Sequence, residues 1–85
     1  MLSIRTLYNY SLELDINLFN TIKDIKTYIF ETRGIPIRKQ VIILDGNELK
    51  SNQTLEQCGV TDGMTISLAY PANYDNNLIA NNQNN

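Results

Sequence analysis

The sequence predicts an α+β domain in which a single helix lies across one face of a sheet. Three observations carry this expectation. Stretches near the start and near residue 66 alternate apolar with polar residues, as half-buried strands do. One segment, 21–33, places its isoleucines at helical spacing. The chain has 85 residues, which suits one domain near the lower size limit for a core without staples.

Each element follows from local chemistry. Leu2 and Ile4 alternate with outward Ser3 and Arg5, and residues 11–16 alternate strictly. The second stretch predicts a strand with Leu12, Leu14 and Ile16 facing in and Glu13 and Asp15 facing out. Asn9 tolerates the left-handed backbone of a tight hairpin and is the expected turn between the two. In the helix, Ile22, Ile25 and Ile29 share one face. Thr21 and Asp24 have capping-box spacing, Gly34 is placed to terminate, and Pro36 blocks continuation. Residues 40–44 read as a strand, Asp45-Gly46 as a turn, and Glu48 and Leu49 as a short return. Residues 54–59 read as a helical turn closed by Gly59. Residues 64–70 form the last strand, with Met64, Ile66, Leu68 and Tyr70 on one face.

Val41, Ile42, Ile43 and Leu44 are consecutive apolar residues. One helix covers only one sheet face, so if Ile42 and Leu44 meet it, Val41 and Ile43 point toward water. Alternation alone leaves two readings open: a docking surface, or ordinary scattered surface hydrophobicity.

Composition narrows the function classes. A net charge of -2 is unlike a phosphate-binding protein, so nucleic acid is not expected as a partner. No apolar run approaches the ~18 residues of a membrane span, and the start lacks a signal-peptide pattern. One cysteine, Cys58, suits a reducing compartment, and cytoplasm or nucleus is expected. The chain has no histidine. Without histidine or a second thiol there is no thiol-protease pair and no zinc or iron–sulfur ligand set, so neither catalytic residues, metal nor cofactor are expected. Cys58 reads as a small buried apolar residue rather than a reactive thiol. Glu13 and Asp15 read as a solvated face. After Tyr70 the chain becomes Asn-rich. Residues 1–70 are expected to be the domain, and 71–85 a disordered tail or the start of a linker, with Leu78, Ile79 and Ala80 an incidental apolar break.

The residues Thr6-Leu7, Thr21-Ile22, Lys26, Ile29, Gly34-Ile35-Pro36, Gln40, Ile43, Gly46, Leu49, Thr54-Leu55 and Leu68 resemble the ubiquitin-like family. The match runs without gaps from Met1 to about Tyr70. The resemblance implies the ubiquitin-like β-grasp, a mixed sheet with one helix packed across it. It also implies a protein-binding patch centred on Leu7, Ile43 and Ala69, flanked by Val41, Gly46, Leu68 and Tyr70. Asn47 and Ser67 stand nearby where ubiquitin is basic or carries histidine, and Arg5 alone keeps its basic character. The patch is therefore expected to be more apolar and to bind acidic ubiquitin-interacting helices more weakly, or to prefer another partner.

Conjugated members of the family end in Gly-Gly, whereas no glycine follows Gly63 here. Of the lysines that receive chain linkages only Lys26 matches. The resemblance thus implies a non-conjugated, non-enzymatic domain, as at the N-terminus of ubiquilin-like shuttle adaptors. Such domains dock on proteasomal or other ubiquitin-like-domain receptors. The alternative is a β-grasp module for an unrelated partner such as a small GTPase, for which acidic Glu13 and Asp15 on the second strand are unsuited. A monomer is expected. Leu18 and Phe19 are expected to pack under their loop against Leu55 or Cys58, and otherwise to form a second contact. The family's tyrosine at Cys58 ties down a nearby loop, so its loss is expected to loosen residues 50–53.

Overall fold

A computed structural model of the chain describes residues 1–8 and 10–74. The expected turn residue Asn9 and residues 75–85, including Leu78, Ile79 and Ala80, lie outside the described residues. The elements are β1 (Leu2–Thr6), β2 (Ser11–Leu14), α1 (Ile22–Arg33), β3 (Val41–Leu44), β4 (Asn47–Leu49), a short α2 (Leu55–Cys58) and β5 (Thr65–Ala69). The sheet runs β2-β1-β5-β3-β4. Strands β1 and β5 pair in parallel at its centre, and the other pairs are antiparallel. This is the mixed-sheet, one-main-helix arrangement of the ubiquitin-like β-grasp.

α1 begins where its capping chemistry begins. The Thr21 hydroxyl accepts the Asp24 N–H at 3.2 Å, and the Asp24 carboxylate accepts the Thr21 N–H at 3.0 Å and the Asn20 N–H at 2.9 Å. Those backbone donors hold the Asp24 carboxyl below its usual range. The helix ends at Gly34, whose φ of 75° is the left-handed region that favours glycine, and whose N–H donates to the Phe30 carbonyl at 2.8 Å. Ile22, Ile25 and Ile29 are buried against Leu2, Ile4, Ile42, Ile66 and Leu68 of the sheet's inner face. α2 repeats the capping device with Thr54 and Gln57, and Gly59 closes it.

Three expectations are corrected: the end of the second strand, the burial of Leu18 and the start of the tail. β2 stops at Leu14, because the Asp15 carboxylate accepts the Asn17 N–H at 3.1 Å and starts a 3₁₀ turn over Ile16–Leu18. Ile16 therefore packs on the core from a turn and not from the strand. Leu18 is exposed, whereas Phe19 is half-buried on the core cluster that includes Leu55 and also meets the Tyr28 ring edge-on, with centroids 5.5 Å apart. The 50–53 loop carries hydrogen bonds of its own, which leave the expected loosening neither supported nor overturned. Lys50 N–H donates to the Gln53 side chain at 2.8 Å, and Ile22 and Lys23 N–H donate to Gln53 and Ser51 carbonyls, both at 3.0 Å. Finally, Pro71 to Tyr74 continue the folded chain. Ala72–Tyr74 form a 3₁₀ turn, and the Tyr74 ring supplies apolar surface that packs on the core.

Candidate functional site: an apolar patch on the open face of the sheet

The patch is built by strand register. Ile42 and Leu68 face each other across β3 and β5 and are 0% and 1% exposed beneath α1. Period-two alternation then forces their neighbours onto the opposite, helix-free face. There Val41 lies across from Ala69, and Ile43 lies across from Ser67. Val41, Ile43 and Ala69 are each half-buried, so they shield one another and still present a surface.

Leu7 joins them from the first hairpin. Thr6 pairs with Leu68, so Leu7 follows β1 at the end of the sheet where Ala69, the next residue of β5, lies. The buried Thr6 hydroxyl accepts the N–H groups of Tyr8 and Tyr10 at 3.2 and 3.1 Å, and the Thr6 N–H donates to the Tyr10 carbonyl at 2.9 Å. These bonds close the hairpin tip and leave Leu7 69% exposed. The Tyr8 hydroxyl donates to the Tyr70 carbonyl at 3.0 Å, and the two rings meet edge-on at 5.2 Å. The hairpin tip is thus tied to the residue that follows Ala69. Gly46 lies in the β3–β4 turn, where Asp45 and Gly46 have φ of 53° and 82°. Consecutive positive φ values are those of a type I′ turn, which suits the twist of the strands it joins.

The rim is sparsely charged. Arg5 lies across from Ser67 on the same face, and Glu48 lies across from Ile43. Lys50 faces Glu48 at 3.6 Å, both well exposed, which is worth little in energy.

Two expected patch residues do not belong to it. Leu68 is 1% and Tyr70 5% exposed. Both fall on the core side because each is one residue from Ala69, which faces out. The patch is Leu7, Val41, Ile43 and Ala69, with Gly46 at its edge.

Two further features were not anticipated from the sequence. Lys26 is 6% exposed in α1, and its ammonium donates to the Ser51 hydroxyl at 2.9 Å. Burial pushes its pKa down, since a low-polarity surrounding disfavours the charge. The signal was present: Lys26 stands four residues after Ile22, on the buried stripe. The second is an open groove lined by Phe30, Pro36, Ile37 and Arg38 at the far end of α1.

Residues 2–70 match the profile of the ubiquitin family. The chain belongs to the ubiquitin family. This ubiquitin-family domain is 40% identical over 58 residues to the ubiquitin-like protein NEDD8-like protein 2 of Dictyostelium discoideum, covering 68% of this chain and 72% of that protein. It is 33% identical over 67 residues to ubiquilin of the same organism, covering 79% of this chain but 13% of ubiquilin. Among solved structures it resembles the UBL domain of Plasmodium falciparum Dsk2, with a TM-score of 0.74 and 30% identity over 82% of this chain and 95% of that one.

Proposed function

We propose that this ubiquitin-family domain is a non-catalytic interaction module that docks its apolar patch onto a protein receptor, as part of an adaptor in the ubiquitin–proteasome pathway of the cytoplasm or nucleus. The observation that carries the reading is the register of β3 and β5, which sets Val41 and Ile43 beside Ala69 on the face that α1 leaves open. A flat patch with one protruding leucine suits a helix or a small binding domain that inserts between Leu7 and Ile43. The adaptor role is supported by likeness to ubiquilin and to the Dsk2 UBL domain.

The partners proposed are ubiquitin-interacting helices and proteasomal ubiquitin-like-domain receptors. With Arg5 the only base on the patch's outward strands, acidic helices gain little steering and bind more weakly than to a basic-rimmed patch. A ¹⁵N NMR titration with one ligand of each type tests this. Amide shifts confined to Leu7, Val41, Ile43, Gly46 and Ala69 support the reading. No shifts at high excess of either ligand contradict it.

A further inference from the structure

The second exposed apolar feature lies away from the patch. Phe30 is 47% exposed on α1, and beside it the chain leaves the helix through Pro36 and the 3₁₀ turn Ile37–Lys39. Phe30, Pro36, Ile37 and Arg38 enclose an open hollow of about 240 Å³. That is below the roughly 300–1,000 Å³ of pockets that hold cofactors or drug-sized ligands, and it suits a single bulky side chain.

Charge tells what accompanies that side chain. The chain is acidic overall, with nine Asp and Glu against seven Lys and Arg. Yet Arg38 and Lys39 end the turn at the hollow, and Arg33 lies three residues after Phe30 on the same helix. Among the described residues neither Arg38 nor Lys39 forms an ion pair. Arg33, on the same helix, is engaged over the Tyr10 ring at 4.2 Å and is not part of the lining. An apolar hollow whose edge carries Arg38, followed by Lys39, is complementary to a segment with the opposite arrangement.

We propose that this groove is a second docking site, independent of the patch, for an acidic peptide segment carrying one large apolar anchor. The anchor enters between Phe30 and Ile37, and flanking carboxylates meet Arg38 and Lys39. A flat anionic membrane is a poorer fit, because the hollow is concave and takes one inserted side chain.

The probe is a synthetic peptide with one phenylalanine between runs of glutamate, compared with its counterpart bearing glutamine at each glutamate. Titrated into the ¹⁵N-labelled chain at low salt, the acidic peptide is expected to shift Phe30, Ile37, Arg38 and Lys39 amides and to bind roughly tenfold tighter than the glutamine peptide. Added salt weakens that preference. Phe30→Ser and Arg38→Glu, both at exposed positions, each remove the shifts while the melting curve stays cooperative. Shifts at Leu7 and Ile43 in place of the groove overturn the proposal. So do equal binding of the two peptides, groove shifts that follow protein concentration alone, or binding only to anionic vesicles.

Discussion

The Tyr8 hydroxyl donates to the backbone carbonyl of Tyr70 at 3.0 Å, joining the first hairpin to the end of the last strand. Leu7 and Ala69 are the residues just before each partner, so this one bond fixes the spacing of two patch members. Tyr8→Phe removes the donor and keeps the ring contact. The expected cost is about 1 kcal/mol of stability by urea denaturation. Slower exchange protection should be lost at the hairpin tip first, and receptor affinity should fall with Leu7 still in place. Unchanged affinity would mean that Leu7 is positioned by the Thr6 bonds alone.

Leu68 and Ala69 are sequence neighbours with opposite roles. Leu68→Ala deletes buried core volume and is expected to cost about 2–5 kcal/mol. Ala69→Ser leaves the core untouched and should change stability by less than about 0.5 kcal/mol. A urea midpoint that moved equally for both would contradict the register.

The capping box of α1 makes stability depend on pH. Backbone donors hold the folded Asp24 carboxyl below its ordinary value. Its contribution is therefore complete above the unfolded carboxylate pKa, near 4, and is lost as pH falls through the lower folded value. Asp24→Asn should flatten that acid limb. Thr21→Ala should cost about 1 kcal/mol at neutral pH. Urea melts of the three proteins between neutral pH and pH 3 check both statements.

Lys26 gives a slope of the same sign at the alkaline end, from burial rather than from hydrogen bonding. Its folded pKa is lowered by burial, so the folded state pays for a desolvated charge below that pKa. Stability should rise with pH between the folded and unfolded values, where the unfolded chain holds the extra proton. Lys26→Met keeps the stem and removes the charge. It is expected to be neutral or stabilising at pH 7 and to erase the alkaline rise. A large loss of stability would show that the bond to Ser51 outweighs desolvation.

Much of this architecture was written in local chemistry. Thr21, Asp24 and Gly34 mark both ends of α1, and alternation through Val41 to Leu44 set Val41 and Ile43 on the face away from the helix. What failed did so for physical reasons. Alternation carried the second strand through to Ile16, but a carboxylate at Asp15 captured the backbone and turned it. Leu68 and Tyr70 entered the patch through the family resemblance, although the alternation of 64–70 already set them on the face of Ile66, opposite Ala69. The groove at Phe30 joins residues from a helix and from a turn several residues on, and no periodicity connects them. Buried Lys26 was hidden by its charge, although its position on the isoleucine stripe gave it away.

The most direct test of the docking account is the affinity of the Ile43→Ala domain for a proteasomal ubiquitin-like-domain receptor, measured by calorimetry beside the unaltered domain. Ile43 is half-buried at the centre of the patch, across from Ser67. The account predicts a loss of about 1–3 kcal/mol of binding energy, roughly five- to 150-fold, with the fold retained. Equal affinity of the two proteins would contradict it.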